Sequence, residues 1–288
     1  MAYSTRRRYS RRTTRFRPRR TVRRRPYVST RFKRRRPMSK RRILNMTSKK
    51  KQDNMLSVTA TATGQTPLQQ ALTIPGNVPV QLVWCATARD RESPNGSDTT
   101  ISVRESDVCF MRGLKERVAV STNTGASWKW RRICFTAKGL NGSFGSGVDS
   151  LETSSGWVRL LANQNNTTMG NFLLQYMFKG TQGVDWSDAF VAKVDTNRIT
   201  VKYDKLFRMS SGNSNGKYYD RKFWFPMNHN LNYSNDEAGE TEGNDNHSTL
   251  GKAGMGDYYV VDFIICQTNQ SGDTMIFNPE ATLYWHEK

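Results

Sequence analysis

Basic residues with no acidic residue among them fill the start of the sequence, and the chemistry they offer is the binding of phosphate groups. The first 52 residues contain 23 Lys and Arg residues, and the earliest carboxylate is that of Asp53. The rest of the chain holds 22 basic side chains against 24 acidic ones, so the first segment supplies the whole net charge of +21. A segment so charged and so poor in apolar residues is expected to be disordered until it meets a polyanion. We therefore predict that residues 1–52 form a nucleic-acid-binding arm.

Arginine dominates the beginning of this arm, and three lysines end it. Guanidinium groups bind phosphate oxygens in pairs and stack on bases, whereas ammonium groups act as point charges. Aromatic residues between the arginine runs could stack on unpaired bases, which favours single-stranded nucleic acid, although isolated aromatics in such an arm can also have no particular role. These aromatics are Tyr3, Tyr9, Phe16, Tyr27 and Phe32. The predicted DNA-binding residues of the arm are Arg6, Arg7, Arg8, Arg11, Arg12, Arg15, Arg19, Arg20, Arg23, Arg24, Arg25, Arg34, Arg35, Arg36, Lys40, Arg41, Arg42, Lys49, Lys50 and Lys51.

Targeting is the main alternative explanation of the arm. A secretory signal needs an apolar stretch, which the arm lacks, and a mitochondrial presequence needs an amphipathic helix, which Pro18, Pro26 and Pro37 interrupt. Basic clusters also serve as nuclear import signals, so the same charge can have a second use. The predicted import residues are Arg35, Arg36, Lys40, Arg41, Arg42, Lys49, Lys50 and Lys51.

A second candidate site for nucleic acid lies in the body of the chain, where rings and charges alternate. Trp128, Lys129, Trp130, Arg131 and Arg132 follow one another directly, which is the combination that a single-strand stacking platform uses. The same pattern suits a strand whose two tryptophans lie in the core. We favour the core interpretation and keep all five residues as DNA-binding candidates.

Cysteine and histidine, the usual metal ligands, are few and scattered. Cys85, Cys109, Cys134 and Cys266 each sit in an apolar run, and no two lie within four residues of one another. The paired-ligand spacing of a zinc site is therefore absent from the local sequence. We predict free, buried cysteines in a reducing compartment, with no metal site and no cofactor.

Catalytic motifs are also missing. His229, His247 and His286 share no motif, so no paired-histidine nuclease or metallohydrolase site can be assembled from adjacent sequence. Gly216-Lys217 is followed by Tyr218 instead of the Ser or Thr of a phosphate-binding loop. We predict that the protein is not an enzyme.

The elements that must position these residues are mainly strands. Apolar and polar residues alternate over 56–63 and 199–208, which is the period of half-buried strands. Runs of branched and aromatic residues predict further strands at 79–87, 107–111, 117–121, 128–137, 157–161, 172–178, 218–225, 258–267 and 281–286. Short helices are predicted at 67–72 and 186–193. Residues 53–288 thus read as one all-β sandwich or barrel with long loops.

Several segments together resemble a known family. They are Met1-Ala2-Tyr3-Ser4 before the arginine runs, Val201-Lys202-Tyr203-Asp204, Phe223-Trp224-Phe225-Pro226-Met227-Asn228, Asn232-Tyr233, Tyr258-Tyr259-Val260-Val261-Asp262-Phe263 and Leu283-Tyr284-Trp285. In this pattern the chain resembles the capsid proteins of genomoviruses (gemycircularvirus-like), small circular single-stranded DNA viruses, and more distantly the geminivirus coat proteins. The resemblance covers essentially all 288 residues, as an overall pattern without one invariant motif.

This resemblance implies a specific architecture and function. Residues 53–288 would be an eight-stranded viral jelly roll of two packed antiparallel sheets, and about sixty copies would form a small icosahedral shell around circular single-stranded DNA. The implied partners are the single-stranded DNA genome, further copies of the chain and host nuclear import receptors, with no membrane. The implied locations are the virion and, during assembly, the host nucleus.

Two other classes of protein remain as alternatives. A cellular chromatin- or RNA-associated basic binding protein could carry the same arm, and it would form no particles. A replication initiator could also bind DNA, but it would need the paired histidines that the sequence lacks.

Overall fold

Two antiparallel sheets contain the long strands of the body. The computed structural model describes residues 38–91, 101–145 and 147–288. Residues 44–288 form one compact unit. The strands of the described residues are β1 (Lys49–Met55), β2 (Ser57–Ala60), β3 (Leu72–Pro75), β4 (Val80–Cys85), β5 (Val108–Thr122), β6 (Trp128–Ala137), β7 (Glu152–Thr153), β8 (Gly156–Trp157), β9 (Arg159–Ala162), β10 (Thr200–Met209), β11 (Tyr218–Asn232), β12 (Glu237–Ala238), β13 (Thr241–Glu242), β14 (Asp257–Cys266) and β15 (Thr274–Glu287). The helices are α1 (Lys40–Thr47) and α2 (Thr168–Met177), with a 3-10 turn at Asn141–Ser143.

The strand order within these sheets is that of a jelly roll. One sheet has the order β1-β15-β5-β11, with β3 also paired to β15, and the other has the order β10-β6-β14-β4. All of these neighbours are antiparallel. Successive long strands change sheet at every connection except the one from β6 to β10, as the Greek-key connections of a jelly roll require. The predicted fold class, an all-β eight-stranded jelly roll of two packed antiparallel sheets, is confirmed.

The four-stranded sheet is covered on both faces. Nearly every residue of β4, β6 and β14 is buried. Its inner face packs against the five-stranded sheet, where Trp84 and Val260 share a core with Leu283 and Trp285. Its other face packs against α2 and the segment that follows, through residues such as Phe178. Burial on both faces explains why β4 and β14 are apolar along most of their length instead of alternating.

Within the described residues, the five-stranded sheet is covered on its inner face only. Along β5, β11 and β15, buried and solvent-facing residues alternate over most of each strand. This is the pattern of an antiparallel sheet with one face on the core and one face in water.

Three sequence-based element predictions are wrong. The segment 172–178 is not a strand but most of α2, because Thr167 caps the helix by accepting a hydrogen bond from the Gly170 amide at 2.9 Å. Phe172 then stacks on Tyr176 one turn later, with ring centroids 5.9 Å apart. The predicted helix at 67–72 is absent, since Leu68 exchanges backbone hydrogen bonds with Thr59. The predicted helix at 186–193 is a series of turns.

The last basic residues of the predicted arm belong to a strand of the body. The sequence-based boundary at residue 52 falls inside β1, which pairs with β15 from Lys49 opposite Glu287 to Met55 opposite Ala281. Acidic residues distant in sequence make this possible, because Glu105 binds Lys49 at 2.8 Å and Lys51 at 2.6 Å. The local sequence around the three lysines contains no sign of these partners.

Candidate nucleic-acid interface

Most of the predicted arm lies outside the described residues. This applies to every DNA-binding candidate from Arg6 to Arg36, and so to the import candidates Arg35 and Arg36. Lys40, Arg41 and Arg42 form the first turn of α1, where Lys40 and Arg42 are exposed. Their roles in DNA binding and import stay predictions.

The three lysines that end the arm have different surroundings. Lys49 is half exposed and paired with Glu105, and the hydrogen bond and charge of that carboxylate raise the pKa of Lys49. Lys50 lies on the exposed side of β1, where its ammonium group donates to the Ser48 carbonyl at 2.9 Å. Lys51 is buried and lies 2.6 Å from Glu105 and 3.6 Å from Glu287. Lys51 therefore binds carboxylates within the body.

The two tryptophans of the second candidate site are core residues. Trp128 and Trp130 are 1% and 0% exposed. The Trp130 ring lies between the sheets, with its centroid 4.6 Å from Phe207 and 5.4 Å from Phe277. The core interpretation that the sequence favoured is thus confirmed, and neither ring has a face open to a base. Lys129, between them, is partly exposed.

Arg132 belongs to a buried group of four charges. Its guanidinium donates to both carboxylate oxygens of Asp262, at 2.7 and 2.9 Å, and to Glu116. Arg159 donates to the same two acids, at 3.0 Å to Glu116 and 2.9 Å to Asp262. All four side chains are fully buried. We call Glu116, Arg132, Arg159 and Asp262 the buried quartet; its two positive and two negative charges balance.

The buried quartet joins the two sheets. Glu116 lies on β5 of the five-stranded sheet, whereas Arg132 and Asp262 lie on β6 and β14 of the four-stranded sheet. Burial alone would raise the pKa of Asp262, but the charges of Arg132 and Arg159 outweigh it and lower this pKa below its usual range. Arg132 therefore serves the core, where no nucleic acid reaches it.

Arg131 points to the opposite face of the four-stranded sheet and is also occupied. It forms an ion pair with Asp204 at 2.6 Å and donates to the carbonyls of Ala189 and Ala192 at 2.6 and 2.9 Å. Its guanidinium lies 5.4 Å from the Phe178 ring centre. It thereby holds the segment after α2 against the sheet.

An exposed surface that the sequence analysis did not single out has the chemistry of a single-strand interface. It is the solvent face of the five-stranded sheet, where basic and aromatic side chains alternate. We call it the basic-aromatic face and define it by Lys50, Phe110, Arg112, Lys115, Arg117, Lys222, Trp224, Tyr284 and His286. Asp220 and Glu280 are acids on the same face, and Asp220 pairs with Arg117 at 2.5 Å.

Trp224 is the most prominent ring on this face. It is 50% exposed, and its centroid lies 5.8 Å from that of Tyr284. A Cβ atom at Gly113 would lie 2.8 Å from the Trp224 ring, so only glycine at that position lets the indole lie across β5. The neighbour of Trp224 on β5 is Lys115, which is exposed. A base stacked on this indole would have an ammonium group beside it.

The other end of the basic-aromatic face has a similar arrangement. Phe110 and His286 lie side by side with centroids 6.1 Å apart, and Lys50 is the neighbour of His286 on β1. Burial, together with the charges of Lys50 and Arg112, lowers the pKa of His286. Burial is the largest cause of this pKa shift, and the two cations add a positive local field, which suits a phosphate backbone.

A usable signal for this face exists in the sequence. Residues 218, 220, 222 and 224 are exposed, whereas 223 is partly buried and 225 is buried. Trp224 thus occupies one of the solvent-facing positions of an alternating strand, where a large ring contributes nothing to the core. This exposed position of a large ring identifies Trp224 from the sequence, but it does not identify the neighbours of Trp224 on other strands.

Comparisons with known proteins give little support beyond this geometry. No family model and no curated protein matches the chain. A solved structure of VP1 from Trichodysplasia spinulosa-associated polyomavirus, in complex with 3'-sialyllactose, aligns with 83% of this chain and 93% of its own at 8% identity and a TM-score of 0.13. Another structure of this VP1 covers 83% and 94% at 9% identity and a TM-score of 0.11. Scores this low carry no argument, so the jelly roll rests on the strand order described above.

Proposed function

We propose that this protein is a structural capsid subunit that self-assembles into a small icosahedral shell and packages circular single-stranded DNA. The observation that carries the proposal is one combination: a jelly-roll body of nearly balanced charge behind an arm with 23 basic residues and no acid. A shell subunit needs both parts, because one must pack against copies of itself and the other must bind a polyanion.

The division of charge fits these two tasks. A nearly neutral body avoids the repulsion that would oppose the close packing of many subunits with charge +21. The arm binds DNA by releasing counterions from phosphates, which requires no particular sequence. Sixty arms would contribute about 1,400 positive charges, enough to neutralise a large share of a genome of a few thousand phosphates.

We assign the basic-aromatic face to the bases of the packaged strand. Single-strand-binding proteins combine a positive surface that follows the backbone with rings on which bases stack. Trp224 with Lys115, and Phe110 and His286 with Lys50, provide two such combinations on one sheet. The arm would then supply neutralisation while the sheet supplies base contacts.

The finer parts of the proposal come from the sequence. The resemblance to genomovirus capsid proteins supports a circular single-stranded genome and a virion location. The basic clusters around Arg35 and Lys40 support import into the host nucleus by import receptors. Within the described residues, neither helix has the length and apolar character to cross a bilayer. The role proposed here is structural and involves no catalysis.

Electron microscopy of the purified full-length protein, combined with nuclease digestion of its contents, tests this function. We expect uniform small shells whose contents resist nuclease until the shells are opened, and then prove sensitive to DNase and resistant to RNase. Monomers or small oligomers at every salt concentration and pH would sink the proposal and favour the chromatin- or RNA-associated protein. Metal-dependent nicking of DNA by the purified protein would favour a replication enzyme instead.

A further inference from the structure

Three potential metal ligands that are distant in sequence converge near one end of the four-stranded sheet. Cys85 is the last residue of β4, Asp149 lies in the loop before β7, and His247 lies in the loop before β14. One ligand atom of each lies within 4.8 Å of those of the other two, and all three residues are buried. Because the three ligands lie far apart in the sequence, no short-spaced motif marks them.

The hydrogen bonds of His247 aim one ring nitrogen into this cluster. Nδ1 lies 2.7 Å from the amide oxygen of Asn246, which can only accept, so Nδ1 carries the proton. Nε2 faces a carboxylate oxygen of Asp149 at 3.2 Å. With Nδ1 protonated, Nε2 is directed at the carboxylate oxygen, and either a proton on Nε2 or a metal ion between the two atoms satisfies both of them. A hydrogen bond that fixes the second nitrogen is the usual support of a metal-bound histidine.

The distance between the nitrogen and oxygen ligands suits a tetrahedral ion. Nitrogen and oxygen ligands each about 2.0–2.1 Å from zinc lie roughly 3.3 Å apart in tetrahedral geometry. The distance between His247 Nε2 and Asp149 Oδ2 is 3.2 Å. The remaining ligand, the Cys85 thiol, is one of the softer donors that zinc accepts together with imidazole and carboxylate.

The cluster also has access to solvent. Asp149 and His247 line a cleft of about 400 Å³ whose other walls include Asn246, Ser150 and Trp157. A water molecule in this cleft can complete the coordination that three side chains leave open. Three protein ligands and one water is a common zinc coordination.

We propose that Cys85, Asp149 and His247 bind one zinc ion, with a water molecule from the cleft as fourth ligand. Binding replaces the thiol proton of Cys85 and any proton on His247 Nε2; both pass to solvent as the bonds from sulfur and nitrogen to zinc form. The ion ties the end of β4 to the loops that precede β7 and β14. This site is independent of DNA binding, since its ligands lie neither in the arm nor on the basic-aromatic face.

Titration of the full-length protein with Co²⁺ tests the site. Cobalt can replace zinc, and its absorption spectrum depends on the type and number of its ligands. The protein is first freed of nucleic acid with nuclease and high salt, and of metal with a chelator. We expect one equivalent to bind with a thiolate-to-cobalt charge-transfer band and the intense visible bands of tetrahedral coordination, and Zn²⁺ to abolish both. At a hundredfold excess of Zn²⁺ over Kd, we expect Tm to rise by on the order of 5–10 °C.

Matched variants distinguish cobalt bound at this site from cobalt bound by other sulfur or phosphate groups. Cys85→Ser should lose the charge-transfer band, whereas Cys134→Ser, another free buried cysteine of the same sheet, should keep it. Asp149→Asn, which preserves the shape of the side chain, should weaken binding by about tenfold or more and keeps the test decisive if Cys85→Ser does not fold. A wild-type protein without the band, a band that persists in Cys85→Ser, or unchanged affinity in Asp149→Asn would overturn the proposal.

Discussion

At the scale of single residues, the buried quartet places four full charges where no water can screen them. Each guanidinium meets both carboxylates, so removing one acid leaves two cations against a single anion. The desolvation of an unpaired buried charge costs far more than an exposed pair contributes. The stability of the sandwich should therefore depend strongly on these four residues.

The first prediction concerns Glu116. Glu116→Gln should lower the free energy of unfolding by about 3–5 kcal/mol, since it leaves one buried positive charge uncompensated. Chemical denaturation monitored by tryptophan fluorescence measures this change. Glu280→Gln removes an exposed acid from a neighbouring strand of the same sheet and should change stability by at most about 0.5 kcal/mol. Equal effects of the two substitutions would contradict the prediction.

The second prediction concerns pH. The folded-state pKa of Asp262 lies below its unfolded value of 3.8, so the unfolded chain binds the proton more readily. The stability from this group is complete above about pH 4 and is lost as the pH falls through the lower folded pKa. Denaturation midpoints between pH 5 and 3 should fall steeply for the wild type and less steeply for Asp262→Asn. Glu280→Gln, which removes an exposed carboxylate of the five-stranded sheet, should retain the wild-type slope.

The third prediction concerns Trp224. Trp224→Ala should weaken binding of single-stranded DNA by about 1–3 kcal/mol, because it removes a stacking surface. The full-length protein is measured at elevated salt, where phosphate contacts weaken and stacking remains. Val191→Ala, an exposed apolar residue outside the basic-aromatic face, serves as the control. A loss of affinity that vanishes at high salt would show that the indole does not stack on bases.

The role of a single residue could be predicted only where its partners lie nearby in the sequence. The alternation around Trp128 and Trp130 was sufficient to favour the core. The partners of Arg131 and Arg132 were not accessible, because Asp204 and Asp262 lie more than seventy residues away and meet them only through strand pairing. The same limit hid the convergence of Cys85, Asp149 and His247.

At the scale of elements, strands were predicted well and helices poorly. Strong alternation at 199–208 and the branched and aromatic residues of 128–137 and 258–267 predicted the strands that the structure has as β10, β6 and β14. The run at 172–178 has strand-like composition, yet the cap at Thr167 and contacts one turn apart make it helical. Local propensity is a weak guide when a cap and tertiary packing oppose it.

The fourth prediction tests this cap. Thr167→Ala should reduce stability by about 1 kcal/mol, because the Gly170 amide loses its acceptor at the start of α2. Thermal unfolding measures the change. Thr168→Ala alters the next, exposed threonine and should have a much smaller effect. If both substitutions act equally, the side chain of Thr167 does not cap the helix.

At the scale of the whole molecule, the distribution of charge was fully visible in the sequence, because a count needs no partners. The separation of a basic arm from a nearly neutral body therefore needed no structure. Which sheet is covered and which has a free face was not visible, since it depends on where α2 and its following segment pack.

The fifth prediction concerns the arm. Deleting residues 1–39, which end before α1, removes 17 of the 23 basic residues and should leave the jelly roll folded while DNA packaging fails. The DNA content of purified particles and the salt dependence of DNA binding measure this. The slope of log K against log salt should fall, because it is proportional to the number of phosphates contacted. Normal DNA density in the truncated particles would exclude the arm as the condensing element.

The unequal covering of the two sheets gives the subunit a built-in direction. A sandwich with two uncovered faces could enter a shell with either face inward. Another feature would then have to distinguish the inner surface of the shell from the outer one. Here α2 and the segment after it already shield one side, and the rings and cations of the other side remain available. In the proposed shell, this asymmetry would set the orientation of each chain as it folds, before any copy meets another.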